Sequence, residues 1–190
     1  CTWGVRQAPN PSKSIEINKN PLNLVEAFNQ IDNDKIVLIL KYRKIRGDAT
    51  LFKTEVDTID EIVKLSNNSN HSNIYIIDEE INLLDLYKLY SNLDFYISPH
   101  CGEGFGLTIY DNYILGINII STYYSGEKDY LKKNKIIELV HVEKKIEGLE
   151  LHPIYKHMSD YKGAYVSIES IMLSINSSLN NSINSSLNNS

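Results

Sequence analysis

Lys35-Ile36-Val37-Leu38-Ile39-Leu40-Lys41 is a run of five aliphatic residues closed at each end by lysine. It has no polar face, so it reads as a strand covered on both sides, as strands of a parallel sheet are. Working outward, Pro21 suits the first position of a helix, and Leu22, Val25, Ala27, Phe28 and Ile31 form its apolar stripe. Ser14 to Ile17 is a weak strand before it. Thr58 to Leu65 has helical period, with Asp57 as its cap and Ile59, Ile62 and Val63 apolar. Asn67 to Asn73 is a polar loop. Ile74 to Ile77, Asp94 to Ser98, Ile117 to Ser121 and Ile136 to Val142 read as further strands. Leu83 to Leu93, Leu107 to Leu115 and Ser167 to Ile175 read as helices. Strands and helices alternating at about 20–30 residues are βαβ units. The expected fold is therefore α/β, a Rossmann-like parallel sheet with helices on both faces. Ligands of such sheets bind beyond the carboxyl ends of the strands.

The composition sets limits on function. The chain has 190 residues, 42% hydrophobic and 23% charged, enough for one core with some length to spare. Nineteen Lys and Arg against 24 Asp and Glu give a net charge of -5. That balance argues against nucleic acid as a partner, since tracking phosphates needs a positive excess. A small phosphorylated ligand needs only one or two placed cations. Cys1 and Cys101 cannot build a disulfide framework or a CxxC zinc site. The longest apolar runs are strand-sized, well below a membrane span of about 18 residues. A cytoplasmic setting is expected. Cys1 opens in mid-phrase, which suggests a piece of a longer chain.

The final stretch differs in kind. Ser174 to Asn181 reads SINSSLNN, and Ser182 to Asn189 repeats it letter for letter. Ile175, Leu179, Ile183 and Leu187 recur every four residues and could mark a helical stripe. Two copies are too few for a solenoid, and the composition favours a low-complexity, largely unstructured tail. The expected organisation is a linker or the end of a preceding domain over 1–12, a ligand-binding domain over 13–173 and a repeat tail over 174–190.

Ser98 to Gly116, SPHCGEGFGLTIYDNYILG, carries the chemistry. A strand ends at Ser98, Pro99 breaks it, and Gly102, Gly104 and Gly106 precede helical residues from Leu107. Glycines at such a turn allow positive φ and close approach, and the free amides of the helix start attract an anion. Glu103 lies inside the turn, and Asp111 follows eight residues later in the helix. A turn holding phosphate on its amides and hydroxyls on its carboxylate suits a ligand with a diphosphate and several hydroxyl groups. Taken alone, the same glycines make an ordinary tight turn with Glu103 as a solvated cap.

Beyond these local readings, the segment resembles the donor-binding segment of family 4 glycosyltransferases, whose signature is EGFGL followed by a second acid. Glu103-Gly104-Phe105-Gly106-Leu107 matches it letter for letter. His100 resembles the first residue of a subgroup's HRxEGFG, with Cys101 in place of the arginine. Gly116 and the strand Ile117 to Ser121 match the family's glycine and following strand, with Asn118 where proline is usual. Tyr124-Ser125-Gly126, then Asp129, are similar to its YSGNLDF. Lys19-Asn20-Pro21 resembles RKNP, with Asn18 replacing the arginine, and Lys41 resembles the lysine of LVIK. Leu139 to Val142 and Lys162 to Tyr165 resemble its LVPV and GAxW segments. The likeness runs from about Lys13 to Ile175. Its main departure is Asp111, where the family has glutamate, one methylene longer.

The resemblance implies the carboxyl-terminal half of a two-domain GT-B enzyme, transferring a sugar from a nucleotide diphosphate to an acceptor hydroxyl with retention. It implies Glu103, Lys19 and Lys41 as catalytic residues. His100, Gly104, Phe105, Gly106, Leu107 and Asp111 would bind the donor. Neither a metal nor a cofactor enters this scheme. Implied partners are the nucleotide sugar, a glycan or other hydroxyl acceptor, an acceptor domain preceding this one, and a membrane surface met through that domain. The residues alone leave blander roles open: Lys19 as a helix-start lysine, Lys41 as a strand-end lysine, His100 as turn packing. The main alternative is a diverged module that holds a nucleotide sugar and transfers nothing. An epimerase fits the EGFGL pattern less well, and no GxGxxG follows the first strand as a dinucleotide dehydrogenase would need.

Overall fold

Apolar faces at helical and strand spacing place the elements. A computed structural model describes residues 20–41, 53–67, 73–132, 137–142, 144–147 and 162–187. Helix α1 (Pro21–Asn29) starts with proline, and Leu24, Val25, Ala27 and Phe28 are buried along it. Its cap, Asn20, is left-handed at φ 52°, ψ 45°, a conformation asparagine tolerates better than most residues. Strand β1 (Leu38–Lys41) is followed by α2 (Lys53–Asn67), β2 (Ile74–Ile77), α3 (Leu83–Ser91) and β3 (Phe95–Ser98). Then come α4 (Leu107–Ile114), β4 (Asn118–Thr122), a 3-10 turn (Gly126–Asp129), β5 (Ile137–Val140), β6 (Lys144–Glu147), β7 (Lys162–Tyr165) and α5 (Ile168–Leu187). Asn82 caps α3 by accepting a hydrogen bond from the Asp85 amide at 2.9 Å.

The expected α/β class with parallel strands and flanking helices is what the chain forms, divided among small sheets. β1 and β2 pair in parallel, β3, β4 and β5 form a second parallel sheet in that order, and β6 pairs antiparallel with β7. One face of both parallel sheets shares a core: Leu38, Leu40, Ile120 and Val140, with Phe95 and Ile97, pack with α1, Ile62 of α2 and Ile171 of α5. The opposite face carries Ile119 with Tyr96 and Leu139, packed against Ile109 of α4. Tyr90 of α3 meets Tyr96 edge-on on that second face, ring centroids 6.1 Å apart. No helix among the described residues is long and apolar enough to cross a membrane.

Three expectations need correction. Helix α2 begins at Lys53, so Asp57 lies inside it and does not cap it. Strands β6 and β7 were not anticipated from the sequence. The expected unstructured tail is largely helix: α5 runs unbroken from Ile168 to Leu187, and Ser174, Ile175 and Ser178 are buried. Ile175 belongs to the core and Leu179 packs against it. The division expected at residue 174 thus falls inside one helix. The strand expected at Ser14 to Ile17, and Lys19 and Asn18, lie outside the described residues.

Candidate functional site

Two loops leave the carboxyl ends of adjacent parallel strands and are bolted together. The first runs from Pro99 to Gly106 after β3, the second from Tyr123 to Leu131 after β4. In the first, Gly106 caps α4 with φ 75° and ψ 52°, the left-handed region that costs other residues about 1–2 kcal/mol. A Cβ at 106 would also stand 2.8 Å from the Tyr130 hydroxyl, which donates to Gly106 O at 3.0 Å. The first-turn amides of α4 have no acceptor within the helix and carry the positive end of its dipole.

The second loop holds the first in place. The Glu103 amide donates to Ser125 Oγ at 2.9 Å. Gly126 lies so close under Gly104 that a Cβ there would meet the Gly104 carbonyl oxygen at 1.6 Å. Behind this contact Glu127 is fully buried. Its Oε1 accepts from the Tyr124 amide and from the Ser125 amide, the latter at 2.7 Å, and its Oε2 accepts from Ser125 Oγ at 2.9 Å. His100, also fully buried, places Nε2 3.2 Å from Glu127 Oε2. Its Nδ1 lies 3.1 Å from both Oγ and the carbonyl oxygen of Ser98. Burial alone would raise the Glu127 pKa, but His100 and the Ser125 and Tyr124 amides outweigh it and hold the carboxyl at about 2. Glu127 is thus a carboxylate that welds the two loops. A third tie comes from β7, where the Ala164 amide donates to Cys101 O at 2.6 Å.

Above this base the surface is aromatic. Phe105 is 47% exposed and packs on Tyr110 and Tyr130, with ring centroids 5.2 and 5.0 Å away. Lys128 Nζ lies 5.7 Å from the Tyr123 ring centre and 5.6 Å from that of Tyr124. Asp111 in α4 makes its charge felt on Tyr90, Tyr96 and Tyr130. Burial, helped by Asp111 and Tyr87, pushes the Tyr90 phenol up to about 12. The Tyr96 and Tyr130 phenols are raised too, by burial first, with Asp111 contributing to both. Asp111 therefore lies within electrostatic reach of Tyr90, Tyr96 and Tyr130.

The residues singled out from the sequence are distributed as follows. His100, Glu103, Gly104, Phe105, Gly106 and Leu107 form one continuous turn, and Asp111 rises from it on α4. Glu103 is half-buried, whereas Leu107 is 67% exposed. The His100 ring is enclosed between Ser98 and Glu127, so it supports the turn from below. Lys41 ends β1; burial lowers its pKa, and Asp78 and Glu80 beyond β2 pull it back up. Lys19 lies outside the described residues. Sequence reasoning passed over Glu127 and Tyr130, which tie the loops together. Their only signal was position, a short loop after the strand next to the glycine turn. Among the described residues no three His, Cys, Asp or Glu side chains converge as a metal site. Fold and site together define an α/β protein with a braced glycine turn at the carboxyl edge of its parallel strands. No protein-family model and no curated protein matches the chain.

Proposed function

We propose that this chain is the donor-binding domain of a retaining glycosyltransferase, taking a nucleotide-diphosphate sugar. The observation that supports it most is the Glu103-bearing glycine turn between β3 and α4, held by the loop after β4. On this reading the diphosphate lies over the amides of Phe105 and Gly106 and the start of α4. Glu103 accepts hydrogen bonds from sugar hydroxyls, and Asp111 takes those of the ribose. The barrier is departure of the diphosphate from the anomeric carbon. That bond breaks with its electron pair going to the phosphate oxygen, the acceptor oxygen bonds to the same face, and the acceptor proton passes to the departing phosphate. Positive charge at the leaving oxygens lowers this barrier, and Lys41 and Lys19 are the proposed sources. The acceptor would be bound chiefly by a separate domain, and the setting would be cytoplasmic.

A second reading, a nucleotide-sugar-binding module without transfer, is favoured by Cys101. It is only 4% exposed and apolar where the resembling subgroup carries arginine. Both readings require Glu103 to hold the sugar. Glu103→Gln should weaken nucleotide-sugar affinity about 10- to 100-fold, the loss of a charged hydrogen-bonding partner, with the fold intact by circular dichroism. Unchanged affinity would remove Glu103 from the site. Release of free nucleoside diphosphate in the presence of acceptor separates the enzyme from the binding module.

A further inference from the structure

Ser125 stands between two groups whose hydrogen-bonding roles are fixed. On one side the Glu103 amide, which can only donate, lies 2.9 Å from Ser125 Oγ. On the other the Glu127 carboxylate, which when ionised can only accept, takes the hydroxyl at 2.9 Å through Oε2. A hydroxyl has one proton to give. That proton goes to Glu127, so a lone pair is turned toward Glu103. The Ser125 hydroxyl therefore has a single orientation, and it presents the Glu103 peptide with a fixed acceptor.

Glu127 locks that orientation. A carboxylate offers about four lone-pair sites, and the Tyr124 amide, the Ser125 amide, the Ser125 hydroxyl and His100 Nε2 converge on this one. Fully buried and held ionised, it is a charged acceptor, which strengthens the bond from Ser125. A hydroxyl polarised in this way is in turn a better acceptor for the next donor, here the Glu103 amide. The backbone beyond Glu103 is held as well, because Gly126 lies directly under the Gly104 carbonyl. The phosphate end of the turn has a different brace, the Tyr130 hydroxyl donating to Gly106 O at 3.0 Å. Two side chains of one loop thus hold two separate points of the glycine turn.

We propose that Ser125 is the positioning residue for Glu103 in sugar recognition, acting through the Glu103 backbone, while Tyr130 sets the diphosphate end of the turn independently. The inference rests on the nucleotide-sugar reading above and divides that site in two. Ser125 governs what the sugar adds to affinity, and binding of the nucleoside diphosphate alone does not depend on it. A brace that served the fold alone would affect both parts of the ligand alike.

Calorimetric titration of the full 190-residue chain tests it with matched probes, UDP-glucose against UDP and GDP-mannose against GDP. Ser125→Ala should weaken the sugar nucleotide about 10-fold and change the nucleoside diphosphate less than about 2-fold. Ser125→Thr, which keeps the hydroxyl, should restore most of the loss. In a Glu103→Gln background, Ser125→Ala should cost less than about 2-fold more, since both substitutions act on one contact. Equal loss of both probes, full additivity with Glu103→Gln or an unchanged sugar affinity would overturn the proposal. A parent chain that binds no member of either pair would instead overturn the nucleotide-sugar reading, and the positioning role with it. Amide exchange on the unaltered protein guards against variants that fail to fold. The Glu103 amide should exchange at least about 100-fold more slowly than a solvent-bonded amide, and exchange at the solvent-bonded rate would overturn the proposal even where donors bind.

Discussion

Gly126 sits directly beneath Gly104: a Cβ on Gly126 would approach the Gly104 carbonyl oxygen to 1.6 Å and the Phe105 Cα to 3.1 Å. The contact is backbone against backbone, so no side-chain rotation relieves it. Two loops from neighbouring strands thereby share one geometry, and the position of Glu103 depends on both.

The first expectation follows from that contact. Gly126→Ala should destabilise the protein by about 1–3 kcal/mol, as overpacking does when the neighbour is backbone. Gly104→Ala, where a Cβ meets nothing within 4 Å, should stay within about 0.5 kcal/mol. Urea denaturation of the two variants beside the parent measures both. Equal stabilities would mean that the loops are not in register as described.

Glu127 makes stability depend on acid. Its folded-state pKa of about 2 lies below the ordinary glutamate value, so its contribution is complete above about pH 4.5 and is lost as pH falls toward 2. Thermal denaturation from pH 6 to pH 2 should show the loss, and Glu127→Gln should flatten that part of the profile while lowering stability at pH 6. A variant with the parent's acid profile would contradict the role given to Glu127.

The carboxyl-terminal repeat yields a third expectation. Ile175 is 7% exposed within the main core, so Ile175→Ala should cost about 2–4 kcal/mol. Asn176 lies on the exposed side of the same helix, and Asn176→Ala should be near neutral. Denaturation midpoints decide the matter. If Ile175→Ala were silent, α5 would not be part of the domain.

Much of the fold was legible because its strands are apolar runs. KIVLILK, IYII, DFYIS and INIIS each announce a strand, and the glycines after Ser98 announce the turn. What escaped reading was decided by distant contacts. Strand β6, KKIE, has no apolar run, and its pairing with β7 across the intervening chain is a tertiary fact. Serine and asparagine are modest helix formers, so the repeat looked unstructured. The four-residue spacing of Ile175 and Leu179 wins because the core covers that side, and the small Ser174 and Ser178 bury with it. Nothing beside Glu127 in sequence marks it; only the fold reveals that His100 and the Tyr124 and Ser125 amides converge on it.

The central claim, a nucleotide-sugar site on the glycine turn, is tested most directly by thermal denaturation of the chain with a panel of nucleotide-diphosphate sugars differing in base and sugar. A ligand at 100 times its dissociation constant stabilises the folded state by about 2.7 kcal/mol. For a domain of this size that raises the melting temperature by about 5–10 °C. The account predicts such a rise with at least one donor and its loss in Glu103→Gln. A melting temperature unmoved by every donor would contradict it.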